Sequence, residues 1–241
     1  SAIALGSHFY QVGFVVRLIR LGKDDDRFNS WKQRLTEFLR DWLGQRKVVQ
    51  DKVAGYAHAL IFWGFLLLIS DIVDLGTGGL LQAFLSNIQL DGIWNLIVDL
   101  GYAMATVGIL IALYRRIIIR PAQLKGASIE GPLILLAILG IVLTAFIVEA
   151  GNMIGEETKY NTWEPIGVLF AKQMDGMDHA TIARMVDISY WIHMILIGGF
   201  LIEIPQTKHS HIIGTIPNVM FQDHNPMGTM IPLQTNENNE A

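Results

Sequence analysis

Apolar residues along this chain come in long runs separated by shorter polar stretches. Residues 54 to 74, 93 to 114, 129 to 150 and 187 to 206 each approach the roughly 20 apolar residues that cross about 30 Å of hydrocarbon. The last run is expected to continue as helix past Pro205 toward residue 213. Residues 1 to 16 are uncharged and mostly apolar up to Arg17, and they read as the second half of a further span. A signal peptide fits less well, because its charges should precede its apolar run and here they follow it. The pattern therefore predicts an all-α protein: a five-helix transmembrane bundle, its first helix incomplete.

Between the first two spans the pattern changes. "NSWKQRLTEFLRDWLG" offers a cap at Asn29 or Ser30, then Trp31, Leu35, Phe38, Leu39, Trp42 and Leu43 at helical spacing, and Gly44 as a stop. This is an amphipathic helix, which either lies in the interface with its basic residues toward lipid headgroups or packs on a partner protein.

Charge orients the bundle. Segments 17–53 and 115–128 and the tail from 207 hold ten, four and one Lys/Arg, whereas 75–92 holds none and 151–186 holds three. That asymmetry puts the N-terminus outside and the C-terminus in the cytoplasm of a multi-pass inner (plasma) membrane protein, with the amphipathic helix on the inner face. Composition agrees: 51% of residues are hydrophobic and only 17% charged, against about 25% charged in an ordinary soluble domain. With no cysteine the chain supplies no disulfide, thiolate zinc site or iron–sulfur ligand, so metal chemistry must use His, Met or carboxylates. A net charge of −4 without a basic, aromatic-rich stripe argues against a nucleic-acid partner.

Candidate chemistry then rests on histidines placed by depth. His58, in "GYAHALIFWGF", lies a few residues from the inner end of the second span, and His193, in "SYWIHMILIGGF", about as far from the outer end of the fifth. An imidazole in hydrocarbon is costly, so such residues face the bundle interior and pair or bind something. If the last helix runs on through Pro205, His211 follows His193 by five full turns on the same face, while His209 points about 160° away. With antiparallel second and fifth helices, His58 and His211 meet at the inner side and could hold a haem iron axially. Gly55, Gly64, Gly198 and Gly199 would leave room for a macrocycle or serve bare helix packing.

At these residues the chain resembles a family. The motifs "RLIRLGK", "GYAHALIFWGF", "ALYRRIIIRP", "LTAFIVEAGN", "TWEP" and "YWIHMILIGGFLIEIPQTKHSHIIGTIPNVMF" resemble the membrane b-type cytochromes of the nitrate reductase gamma and heterodisulfide reductase membrane-subunit group. Within that group they look closest to the N-terminal domain of iron–sulfur/haem b electron-transfer-flavoprotein:menaquinone oxidoreductases. The resemblance implies a haem b cytochrome domain over residues 1–222, with His58 and His211 as axial ligands of an inner haem and His193 as ligand of an outer one. It also implies electron transfer between a cytoplasmic iron–sulfur domain or subunit, fed by an electron-transfer flavoprotein or similar donor, and menaquinone. Residues 223–241 would lead toward the iron–sulfur module. The chain departs from the two-haem pattern in "LLLISD", where the second helix lacks a histidine to pair with His193. His193 would then recruit an unusual partner such as Met153 or His179, or serve a quinone site instead; His8 is too deep in the membrane to pair with it.

Glu149 and Trp163, with Glu164 beside it, stand at the outer face and suit quinone chemistry, a buried carboxylate being able to relay protons; Glu149 equally suits a helix-end anchor. Arg115 and Arg116 mark the inner boundary or meet haem propionates. Asp71, Asp99 and Glu203 read as structural, Met104, Met194 and Met220 as packing, and His179, His209 and His224 as exposed or interfacial. Two competing classes remain: a cofactor-free transporter or proton-relay protein, against which the absence of inverted repeats argues, and a cofactor-free anchor for a peripheral enzyme.

Overall fold

A computed structural model of the chain describes residues 2–22, 27–77, 79–124, 126, 128–155, 160–207 and 210–224. Among these residues there is no strand, and the helices are α1 (Ala2–Ile19), α2 (Trp31–Glu37), α3 (Lys52–Gly76), α4 (Leu80–Asn87), α5 (Asp91–Tyr114), α6 (Glu130–Gly155), α7 (Pro165–Met174), α8 (His179–Glu203) and α9 (His211–Met220). Four segments within them are long and apolar enough to cross a membrane: Lys52–Ser70, Asp91–Ile119, Glu130–Ile154 and His179–Glu203. The expected all-α bundle of spans is what the chain forms, with α1 packed along α8 as the shorter apolar member.

The spans are held by close backbone approach. At the α3–α5 seam a Cβ on Gly64 would stand 2.6 Å from the Gly101 carbonyl oxygen, and one on Gly108 would stand 2.7 Å from that of Ala57. In lipid, where apolar surface gains little by meeting apolar surface, such small-residue seams supply the packing that joins helices. Ile109, Leu113, Ile134, Ile138, Phe200 and Ile204 form a buried cluster joining α5, α6 and the end of α8. Outward stripes such as Ile188, Trp191 and Ile195 on α8 stay exposed, as lipid-facing residues do.

Two predicted boundaries change. α8 begins at His179 instead of residue 187, because Asp178 caps it by accepting the Thr181 N–H at 2.9 Å. Its first nine residues carry Arg184 and Asp187, which is why apolar content alone missed them. The continuous helix through Pro205 does not form. α8 ends at Glu203, a 3₁₀ turn spans Ile204–Gln206, Thr207 is extended, and α9 starts afresh at His211. Proline has no N–H to donate and its ring clashes with the preceding turn, so the ladder stops there.

The amphipathic segment forms as α2 followed by a π-helical stretch, Phe38–Leu43, ending at Gly44. One face docks on the chain itself: Trp42 meets Phe62 of α3 edge-on at 5.1 Å, and Arg34 is buried, donating to the carbonyls of Met220 (3.2 Å) and Gln222 (2.9 Å). Trp31, Leu35 and Leu39 form an exposed stripe on the other side.

Candidate functional site

His58 lies in the second turn of α3 and His211 is the first residue of α9. Their ring centroids are 6.4 Å apart with planes at 41°. The break at Pro205 achieves what the continuous helix was expected to do: it leaves α9 free to turn His211 toward α3. The phasing that set His209 apart falls away with the continuous helix, and His209 itself lies outside the described residues. Both rings are exposed. Of the four glycines expected to make room beside them, Gly55 and Gly64 are consumed by packing on Val48 and on α5, whereas a Cβ on Gly198, Gly199 or Gly214 would meet nothing within 4 Å. Arg115 pairs with Asp51 at 3.2 Å, and Arg116 donates to the Ser128 carbonyl at 2.7 Å, so both staple neighbouring segments together.

His193 lies 14 residues into α8, about 21 Å along its axis, deeper than a start at residue 187 implies. Its Nδ1 is 3.0 Å from the Ile141 carbonyl oxygen and 3.0 Å from Thr144 Oγ1 on α6. A carbonyl oxygen only accepts, so the proton sits on Nδ1 and Nε2 keeps the lone pair. Thr144 is buried and spends its own hydroxyl proton on the Gly140 carbonyl at 2.7 Å, which leaves its oxygen beside the imidazole.

His193 borders a cavity of about 400 Å³ set between α5, α6 and α8, with Tyr102, Asn95, Glu149 and Glu164 also on its wall. Glu149 and Glu164 are hydrogen-bonded to each other, and Glu164 also accepts from Asn95 and, at 2.8 Å, from Asn161. Burial, joined by the charge of nearby Asp99, pushes the Glu164 carboxyl above its ordinary value, against the opposing pull of those hydrogen bonds. Asp99 itself is fully buried and accepts the backbone N–H groups of Ile166 (2.8 Å) and Gly167 (3.0 Å), capping α7 from another helix.

The structure thus brings Glu149 to His193's cavity and leaves Trp163 off its wall, with its indole against Gly92. Met153 is packed in a buried cluster with Ala150, Ala171, Met174 and Ile182, and His179 stands at the far end of α8, so neither reaches His193. His224 bonds Glu37 at 2.8 Å. Glu164 was anticipated only as the neighbour of Trp163 in the outer loop, and Asn95, Asp99 and Thr144 were not singled out as site residues. A mid-span hydroxyl and a carboxylate within a span were their only signals, because α7 and its cap depend on contacts between distant segments. No group of three or more His, Asp or Glu suited to a metal ion occurs among the described residues.

No family model and no solved structure matches the chain. It is 28% identical over 245 residues to "Probable iron-sulfur-binding oxidoreductase FadF" of Bacillus subtilis, covering all of this chain and 34% of the relative. It is also 26% identical over 209 residues to "EtfAB:quinone oxidoreductase" of Syntrophomonas wolfei, covering 80% of this chain and 28% of the relative. The chain spans about a third of the length of the curated relatives it matches. The names of these relatives support a relationship to electron-transfer oxidoreductases.

Proposed function

We propose that the chain is the haem b-binding membrane part of a quinone-linked oxidoreductase. In this reading it carries electrons between a cytoplasmic iron–sulfur or flavoprotein partner and menaquinone. The observation that carries it is the 6.4 Å between the His58 and His211 centroids. Metal–imidazole bonds are about 2.0–2.1 Å, so a spacing of this size between two imidazoles would leave room for one iron between them. The donor set would suit a haem, and a Cβ at Gly198, Gly199 or Gly214 would meet no protein atom within 4 Å. Haem b, when bound, supplies reversible one-electron transfer; the chain supplies ligands, an apolar surround and orientation. The names of the two relatives, one iron–sulfur-binding and one linked to EtfAB and quinone, support the same partners.

The test is the visible spectrum of the purified membrane protein with and without dithionite, with haem quantified per chain. A reduced b-type α-band lost in both His58→Ala and His211→Ala is expected; a colourless folded protein, isolated with haem available, overturns the reading.

For His193 the quinone role is the better supported. Among the described residues the cavity wall holds no second histidine, and the methionine on it, Met194, is His193's helix neighbour, about 100° round the helix, so it is poorly placed to share an iron with it. A cavity of about 400 Å³ is within the usual size for a small-molecule site. About one haem per chain, retained in His193→Ala while quinone reduction slows, is the expected result. Two haems falling to one would make His193 a ligand.

A further inference from the structure

We propose that Glu149 and Glu164 hold one proton between them and deliver it to a carbonyl oxygen of a quinone seated in the cavity beside His193. The proposal rests on the quinone reading of that cavity and adds the residues that move the proton. Two carboxyl groups hydrogen-bonded to each other need a proton between them, since two carboxylates offer only acceptors. Their surroundings oppose a second negative charge. The titratable groups that share the cavity are Asp99 and Tyr102 from α5, Glu149 from α6, Glu164 at the head of α7, and Tyr190 and His193 from α8. Among the described residues neither Lys nor Arg is on its wall to neutralise the acids. Asp99 spends both oxygens on the backbone of α7, which leaves Glu149 and Glu164 as the acids free to exchange.

The pair reaches away from the bundle centre through amide side chains. Asn95 and Asn161 bind Glu164, and Gln82 of α4 donates to Asn95 at 3.3 Å. Both carboxyls are half-buried; Glu164 sits at the head of α7 beside this polar rim and Glu149 has a carboxyl oxygen against Gly167, so we take Glu164 as the member that exchanges with water. His193 stands on a different helix with Nε2 uncommitted to the protein contacts that hold Nδ1.

Reduction of a quinone to a quinol takes two electrons and two protons. A haem held by His58 and His211 would supply the electrons one at a time. In the proposed step the O–H bond of the Glu149–Glu164 pair breaks and an O–H bond forms on one quinone oxygen. The pair is left as two carboxylates and regains its proton from water through Glu164. The other quinone oxygen takes its proton from Nε2 of His193, which first picks up that proton from water and, on giving it up, returns to the neutral Nδ1–H form seen against Ile141. Quinol oxidation runs the same transfers in reverse.

The deciding measurement is infrared spectroscopy of the purified protein at pH 7, read in the protonated-carboxyl C=O region, which needs neither turnover nor haem. A band is expected in the wild type that is lost in Glu149→Gln and Glu164→Gln and kept in Glu130→Gln. Because replacing Glu149 can unsettle α6, Glu164→Gln, outside the spans, carries the test by itself. Addition of a water-soluble naphthoquinone should shift the band, with binding followed separately by quenching of Trp94, which lines the cavity. The Gln variants should slow quinone reduction by about a hundredfold, as expected for loss of a general acid. Absence of the band, its survival in Glu164→Gln, or an unshifted band while Trp94 is quenched overturns the proposal. No quenching with the band intact instead overturns the quinone reading of the cavity, and the delivery step with it.

Discussion

Asp99 shows how one buried side chain in a span sets a site it need not touch chemically. Its two oxygens accept the first free N–H groups of α7, which begins with Pro165 and has no side-chain cap of its own. Asparagine offers one oxygen where aspartate offers two, so Asp99→Asn leaves one of these two N–H groups without an acceptor and turns an amide donor toward it. The expected cost is about 1–3 kcal/mol. Thermal unfolding should show it, and the Glu149–Glu164 cavity should lose its quinone-dependent Trp94 quenching as α7 loosens. A variant with unchanged stability and quenching would mean that α7 is held by its Gly167–Ala171–Met174 face alone. Thr144 acts similarly on His193: its hydroxyl and the Ile141 carbonyl fix which ring nitrogen carries the proton.

Among elements, the α3–α5 seam is the most sensitive to volume. Gly108 sits against the Ala57 backbone one residue from His58, so a side chain there must push α3 away. Gly108→Leu is expected to destabilise the bundle by about 2 kcal/mol or more through overpacking. It should also lower haem content, because α3 carries His58; unchanged haem content and melting temperature would show that the seam can yield. Loss of haem here, where no ligand is altered, separates positioning of the axial pair from ligation itself.

At the scale of the molecule, the basic end is tied together by buried charge. Asp41 is buried and bonded to Arg40 (3.1 Å), Arg46 (2.9 Å) and Lys47 (3.2 Å). Burial alone would raise its pKa, but hydrogen bonds from Arg46, Arg40 and Lys47 bring it from the ordinary 3.8 down to about 2. Glu37 is lowered as well, chiefly by the Gln33 amide and further by His224 and Gln222, and it joins α2 to the segment after α9. A depressed carboxylate stabilises the fold above its unfolded pKa, and that contribution is lost as pH falls through the folded value. The Asp41 cluster should therefore hold at neutral pH and weaken between pH 3.8 and about 2, while the Glu37 tie of α2 to the segment after α9 should weaken as pH falls below 4.5. Asp41→Asn should remove on the order of 1–2 kcal/mol at pH 7, the figure discounted because the three cations are about half in solvent. Fluorescence of Trp31 and Trp42 against pH reports both; a flat titration through this range would show that the clamp is held by Arg34 and the Phe28–Trp31–Phe221 aromatic cluster instead.

Helix class, the four long spans, the amphipathic segment and the depth order of His58 and His211 were legible from residue order, because crossing hydrocarbon demands long apolar runs and each histidine's place in its run is a matter of counting. The encounter of His58 with His211 was anticipated for the wrong reason. It depends on Pro205 ending α8, and a broken helix sets its own phase, which periodicity cannot supply. Glu149 was legible as a carboxylate near a helix end, but its pairing with Glu164, the cap from Asp99 and the exclusion of Trp163 were decided only when α5, α6, α7 and α8 closed around one cavity. These groups are separated by tens of residues, and a hydrogen bond between them follows from where the helices cross. The sequence by itself determined that this protein lives in a membrane and carries imidazoles there; the tertiary structure decided which of them face each other and which acids share a cavity, because side-chain encounters depend on helix packing and not on spacing along the chain.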